Sequence, residues 1–286
     1  MLPAVPPQRD GQLISIKVKN SVSRVFLELC GSNRLNDIEM KELIKRAAKD
    51  LAAARNVVAL TGAGISIESG IPPFRGKGGL WERFDPMEFA HIDALMLDPA
   101  KVWKVLVKEM KEIMDRAEPN DGHKGLAKLE ARHKLKTIIT QNVDGLHQAA
   151  GSTDVIEYHG TFAWQRCMDC GKKYETRKVD VSEIPPRCDC RGILRPDAIF
   201  FGEIIPAEAL WRSRQAATDC DLMLVVGTSA VVQPAAMIPV IAKENGAKIV
   251  EINPERTPLT VEVSDYLIMG EAGEVMNKIV EAMEKI

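Results

Sequence analysis

The chain has 286 residues, 45% of them hydrophobic and 27% charged, with a formal charge of -2 at pH 7. That length suffices for one large core with a smaller appendage, and the near-neutral balance excludes the strongly basic footprint of a general nucleic-acid binder. No apolar run reaches the roughly 18 residues that a membrane span requires, and the first stretch carries Pro and Asp where a secretory signal needs a continuous apolar segment, so a soluble, cytoplasmic protein with neither a membrane nor a nucleic-acid partner is expected.

In chain order, residues 1–35 read as an extension, with Ile14, Ile16 and Val18 alternating as in a strand and SVSRVFLELC fitting a helical turn or two. Asn36 or Asp37 can cap a helix whose Met40, Leu43, Ile44, Ala47, Ala48 and Leu51 form one apolar stripe. NVVAL then opens a series of short apolar runs: KTIIT, DVIEY, AIFF, DLMLVV, KIVEI and DYLIMG. Helical patterns follow at Pro99 to Glu118, at Asp121 to Ala131, and over PAEALWRSRQAATDC, PAAMIPVIAKENG and AGEVMNKIVEAMEKI. Short apolar strands alternating with helices predict an α/β fold, a parallel sheet with helices on both faces.

Nearly every predicted strand ends in a polar or glycine-rich knot: GAGIS, QNVD, HG, GTS and NPE. Each alone reads as a turn; together, at the carboxyl ends of parallel strands, they predict a large polar ligand. Gly62, Ala63 and Gly64 open a helix whose amides can meet a pyrophosphate. Ile67 stands where the usual dinucleotide fingerprint has its third glycine, so a plain turn and a phosphate site are equal readings there. The next segment, SGIPPFRGKGGLW, carries Phe74, Arg75 and Trp81 among glycines and prolines; a lid over a ligand is favoured over a surface loop whose rings pack inward. His159 follows a strand at the same sheet edge as Gln141, Asn142 and Asp144, a setting that suits a proton acceptor. His147 reads as packing or capping, and His91, His123 and His133 have no such setting.

Cys167 and Cys170 form a C-x-x-C pair, Cys188 and Cys190 a C-x-C pair, while Cys30 and Cys220 stand apart. Four thiolates suit one tetrahedral zinc of structural kind, with no position left for a substrate water. Such clustering, rather than a disulfide framework, fits a reducing compartment.

With these residues assembled, the chain resembles the sirtuin family of NAD-dependent protein deacylases, of bacterial or archaeal type. The resemblance runs from about Asn36 to the C-terminus over GAGISIESGIPPFRG, TQNVDGLH, YHG, the four cysteines, FFGE, GTS, INPE and GEAGEV. It implies a Rossmann-type domain over 36–81, 119–161 and 195–286, and a small domain made of a helical insertion at 82–118 and a zinc ribbon at 162–194. It implies NAD as co-substrate, held from the first loop by Gly62, Ala63, Gly64, Ile65, Ser66, Phe74, Arg75 and Trp81. Gln141, Asn142 and Asp144 would hold the nicotinamide and its ribose, and Gly227, Thr228, Ser229, Asn253, Pro254, Glu255 and Ala272 the adenosine end. His159 would be the catalytic base, assisted by Asn142 and Asp144, and an acyl-lysine peptide would add as a strand near Phe201, Gly202 and Glu203.

The implied chemistry starts with the acyl oxygen displacing nicotinamide from the ribose. His159 takes a ribose proton so that a hydroxyl attacks the acyl carbon, and water frees lysine and O-acyl-ADP-ribose. Three departures from the family pattern stand out: Pro73 before the Phe-Arg pair, the short C-x-C spacing, and the acyl-selecting positions. Relatives that prefer acidic acyl groups carry Tyr and Arg where this chain has Leu106 and Glu109, so neutral acyl groups, acetyl first, are expected. The rivals on the same site are mono-ADP-ribosyl transfer to protein and NAD hydrolysis. Those from other classes are a zinc-ribbon module without turnover and a hydride-transferring dehydrogenase.

Overall fold

In the computed structural model, which describes residues 38–286 except residue 77, most of the apolar runs become strands and the segments between them helices. Helix α1 (residues 38–53) leads to β1 (Val57–Thr61) and a 3-10 turn at Ala63–Ser69. The short helices α2 (Leu80–Arg83), α3 (Pro86–Phe89), α4 (Ile92–Leu97) and α5 (Pro99–Val102) precede α6 (Lys108–Met114). Then come α7 (Asp121–Ala131), β2 (Leu135–Thr140), α8 (Leu146–Ala149), β3 (Val155–Glu157), β4 (Gly160–Cys167), β5 (Lys173–Glu175) and β6 (Leu194–Ala198). The chain ends through α9 (Ala207–Asp219), β7 (Leu222–Val226), α10 (Ile238–Glu244), β8 (Lys248–Asn253), α11 (Pro258–Glu262), β9 (Tyr266–Met269) and α12 (Ala272–Met283). The extension at 1–35, with Cys30, and the cap at Asn36 or Asp37 lie outside the described residues.

Among the described residues the large sheet has six parallel strands in the order β3-β2-β1-β7-β8-β9. β1 and β7 are buried along their whole length, as strands covered on both faces must be. On one face Ala217, Ile238, Ala242 and Leu259 from α9, α10 and α11 meet Val58, Leu60, Met223 and Val225. α7 and α12 pack together with Leu126, Leu129, Val275, Met276 and Ile279 buried. In α1, Ile44, Ala47, Ala48 and Leu51 are buried while Lys45 and Lys49 are exposed, the pattern of an amphipathic helix. Residues 42–286 form one compact unit. Strand order reverses between β1 and β7, which is where an open parallel sheet leaves a crevice for ligands.

A second, antiparallel sheet of three strands runs β5-β4-β6. The helices before it pack against its edge through Leu95, Val102, Trp103, Val107 and Phe200, and Trp103 Nε1 donates to the Leu194 carbonyl at 2.7 Å. The helix expected over Pro99 to Glu118 is interrupted: Trp103–Val107 form a π-helical turn, and α6 stops at Met114 ahead of Pro119. A π turn shifts the phase of the side chains around it, and Leu106 and Met110 share one apolar cluster with Leu80.

The AIFF run is not a strand of the parallel sheet. Ala198 closes β6 in the small sheet, Ile199 N–H donates to the His159 carbonyl at 2.8 Å, and Phe201 pairs with the Ala90–Ile92 segment. Ile199 packs on the large core and Phe200 on the small one. The run is apolar because it crosses between two cores.

Candidate active site

The loops after β1 and β7 touch through bare backbone. Gly62 N–H donates to the Val226 carbonyl at 3.1 Å and Gly64 N–H to the Gly227 carbonyl at 2.8 Å. A Cβ on Gly64 would stand 2.7 Å from Gly227 Cα, and one on Gly227, whose φ is +61°, would stand 2.3 Å from Ile65 N. Any side chain at either place would force the two loops apart, so the strand ends open as a cleft with backbone walls. This cleft, of about 590 Å³, is lined by Gly62, Ala63, Gly64, Phe74, Arg75, Trp81, Gln141, Asn142 and His159. Phe201, Gly202, Glu203, Gly227, Thr228, Ser229, Asn253, Pro254 and Glu255 complete that part of its wall. Its volume suits a small-molecule ligand.

His159 ends the short connection after β3, half-buried. Its Nδ1 lies 3.2 Å from the Gln141 carbonyl; a carbonyl only accepts, so Nδ1 carries the proton and Nε2 is the basic nitrogen. Burial holds the imidazole below its ordinary value of 6.5, with the Gln141 carbonyl pulling the other way. A neutral ring at neutral pH is what a general base requires. Gln141 in turn donates from Nε2 to Thr228 Oγ1 at 3.0 Å, tying the β2 end to the β7 loop.

Ile65, Ser66, Asp144 and Ala272 sit outside the lining of this cleft. Ile65 and Ala272 are buried. Ser66 donates to Asp144 Oδ2 at 2.8 Å and accepts from Asn142 Nδ2 at 3.0 Å. Asn142 Nδ2 also donates to the Gly62 carbonyl at 3.1 Å, while its buried Oδ1 has no partner among the described residues. Asn142 itself lines the cleft, and a buried acceptor without a partner is a group that a ligand or a water is expected to satisfy. Asp144, raised above the ordinary carboxylate range by burial, also lines a neighbouring cleft of about 500 Å³ beside Phe162 and Trp164.

The glycine-rich loop folds over the cleft as a closed turn. Leu80 N–H donates to the Pro73 carbonyl at 2.9 Å and Trp81 N–H to the Phe74 carbonyl at 3.0 Å. Phe74, Trp81 and Phe201 form a ladder of rings with centroids 5.4 and 6.2 Å apart. The two loop rings both pack inward and wall the cleft, so the two readings of this segment merge.

Several lining residues were invisible as site residues in the sequence. Met110 and Phe162 join the wall from α6 and β4, and Val143, Val232, Gln233 and Pro234 from loops, beside Leu106, which the resemblance had marked as an acyl-selecting position. Met110 stands four residues after Leu106, the spacing of a core stripe, which by itself gives no hint of a second role. Glu109 points elsewhere, to Arg83 at 2.6 Å, and is absent from the lining. The Glu203 carboxylate is held by buried Arg195, at 2.7 Å from Nη1 and 2.6 Å from Nη2, and accepts from Phe200 N–H at 2.8 Å. It fixes the turn after Phe201, whose backbone N–H and carbonyl are both already paired.

The four cysteines converge at the far end of the small sheet, with all four Sγ atoms within 4.8 Å of one another. Cys167 and Cys190 are 3.5 Å apart, Cys170 and Cys188 3.6 Å, and Cys170 and Cys190 3.5 Å. Tetrahedral zinc with Zn–S bonds of about 2.3 Å needs sulfurs about 3.8 Å apart, so the donor set fits one such ion, and the short C-x-C spacing is no obstacle. Tyr174 Oη lies 3.1 Å from Cys188 Sγ, an outer hydrogen bond of the kind that steadies a metal ligand.

Known proteins resemble this chain in sequence and in fold. The model of the Sir2 family matches residues 62–234. A protein of Pyrobaculum aerophilum named NAD-dependent protein deacylase 2 is 51% identical over 237 residues, covering 82% of this chain and 94% of its own. A solved Sir2 homologue mutant in complex with 2'-O-acetyl ADP ribose superposes with a TM-score of 0.78 at 45% identity, over 84% of this chain and 96% of that one. A Sir2 structure with p53 peptide and NAD+ gives a TM-score of 0.75 at 36% identity, over 83% of this chain and 97% of that one. With matches of that extent in sequence and in fold, the chain belongs to the Sir2 family.

Proposed function

We propose that this chain removes neutral acyl groups, acetyl first, from lysine side chains of proteins, transferring them to the ADP-ribose part of NAD and releasing nicotinamide. One observation carries the reading: a neutral imidazole, His159, shares a single cleft with the switch-point glycines and with Asn142, whose buried Oδ1 has no partner among the described residues. The relatives named above are NAD-dependent deacylases or hold an acetylated ADP-ribose or a peptide with NAD+, and the same chemistry suits this cleft.

In this reading the pyrophosphate lies against the Gly62–Gly64 turn at the amide of Ala63, since the Gly62 and Gly64 amides are already paired. Asn142 orients the carboxamide, with Asp144 and Ser66 holding Asn142 in place from below, and His159 Nε2 takes the ribose proton. The loops at Gly227–Ser229 and Asn253–Glu255 take the adenosine. The peptide lies along Gly202 and beyond, since Phe201 and Glu203 are already engaged. Leu106 and Met110 give the acyl end an apolar wall, which favours neutral acyl groups over succinyl. We divide the chain accordingly into a large domain at 36–81, 119–161 and 195–286 and a small one at 82–118 and 162–194. Four cysteines gathered as one metal donor set, a pattern typical of reducing compartments, fit a cytoplasmic site of action.

The test is mass spectrometry of products from NAD and a panel of acyl-lysine peptides. O-acetyl-ADP-ribose is expected with acetyl-lysine and little product with succinyl-lysine. His159→Ala should lower turnover at least about 100-fold. Nicotinamide release that ignores the peptide altogether would overturn the assignment in favour of NAD hydrolysis.

A further inference from the structure

Glu251 is 1% exposed, in the middle of β8 between Val225 of β7 and Leu267 of β9. Three hydroxyls donate into its carboxylate: Thr257 at 2.5 Å, Thr260 at 2.7 Å and Ser264 at 2.9 Å. Two of these hydroxyls are themselves fixed by backbone amides. Leu259 N–H donates to Thr257 Oγ1 at 3.2 Å, and Thr257 N–H donates to Thr260 Oγ1 at 2.9 Å. Every one of these donors lies on α11 or at its two ends. That helix has five residues and buries a single one, Leu259. One apolar side chain is a weak anchor for a helix so short, whereas hydrogen bonds to a buried carboxylate are strong and directional.

The segment so pinned is continuous with the cleft wall. Asn253, Pro254 and Glu255 line the cleft between β8 and α11, and Asn253 Nδ2 donates to the Glu255 carbonyl at 3.0 Å to close the turn. Asn253 and Glu251 are two residues apart on one strand, so their side chains leave the same face. We infer that Glu251 is a positioning residue for the nucleotide: by gripping α11 through three hydroxyls it fixes the Asn253–Glu255 rim where the adenosine half binds. The inference rests on the reading of that rim as the adenosine end.

The test compares wild type with Glu251→Gln, whose carboxamide keeps the shape but offers one acceptor oxygen in place of two. Affinity for ADP-ribose, measured by calorimetry, should fall about tenfold, and the KM for NAD should rise by a similar factor. Turnover at saturating NAD should stay within about twofold, as should affinity for nicotinamide mononucleotide, which lacks the adenosine. A residue that served stability alone would lower the melting temperature and leave this split unmoved. Should Glu251→Gln fail to fold, Thr260→Val, which removes one hydroxyl at constant volume, carries the same comparison with about a threefold effect. ADP-ribose binding within twofold of wild type in the folded variant overturns the inference. A wild-type chain that does not bind ADP-ribose sinks the reading of the cleft itself, and the inference with it.

Discussion

Beneath the cleft floor two imidazoles meet edge to face, His123 and His147, with centroids 4.9 Å apart. Both are buried; burial lowers His123 to about 4, and burial together with the neighbouring His123 lowers His147 to about 3. Unfolded, each ring takes a proton near pH 6.5. The unfolded chain therefore binds more protons between that pH and the folded values, so stability is complete above pH 7 and falls as pH drops through the window. The loss is about 1.4 kcal/mol per ring for each pH unit. Urea unfolding at pH 7 and pH 5 should show this fall, with a shallower slope in His123→Gln; equal slopes would rule the ring out as the source. His123 had looked no different from His133, which the fold leaves exposed at a φ of +57°. What separates them is Ser66 at 3.4 Å, a partner that only tertiary packing brings near, beside the Asn120 side chain at 3.1 Å that caps the same helix. His159, by contrast, could be placed at the sheet edge from sequence, because its knot is one of several that end the strands of a parallel sheet at the same side.

At the scale of elements, the join between the helices and the small sheet depends on one indole. Trp103 is 2% exposed and its Nε1–H satisfies the Leu194 carbonyl. Trp103→Phe would leave that carbonyl without its donor, at a cost of about 1–3 kcal/mol, read as a lower melting temperature and faster amide exchange in β6. Unchanged exchange there would mean that the sheet holds without the tie. The strands of the large sheet were readable from short valine- and isoleucine-rich runs because burial on both faces leaves no other pattern. AIFF shows the limit of that rule: apolar residues serve two cores in turn as readily as two faces of one sheet. The three-stranded sheet escaped notice for the opposite reason. β4 exposes Trp164 and mixes polar with apolar positions, so no period stands out.

Across the whole molecule, the metal end and the parallel sheet differ in what holds them. Beyond the thiols themselves, the far end of the small sheet has Leu194, with Tyr174 and Val179 partly buried beside it. So small a cluster needs the metal for its fold. Chelation should strip hydrogen-exchange protection from β5 and the cysteine loops while the helical circular-dichroism signal survives; protection that outlasts the zinc would refute this division. The two bodies are nevertheless connected where the chemistry is. The chain leaves the large sheet at His159–Gly160 and returns to its core at Ile199, and a 2.8 Å bond from Ile199 N–H to the His159 carbonyl clips the two crossings together. That clip fastens the backbone of the proton acceptor to the returning chain, so the imidazole keeps its post on the seam between the two sheets.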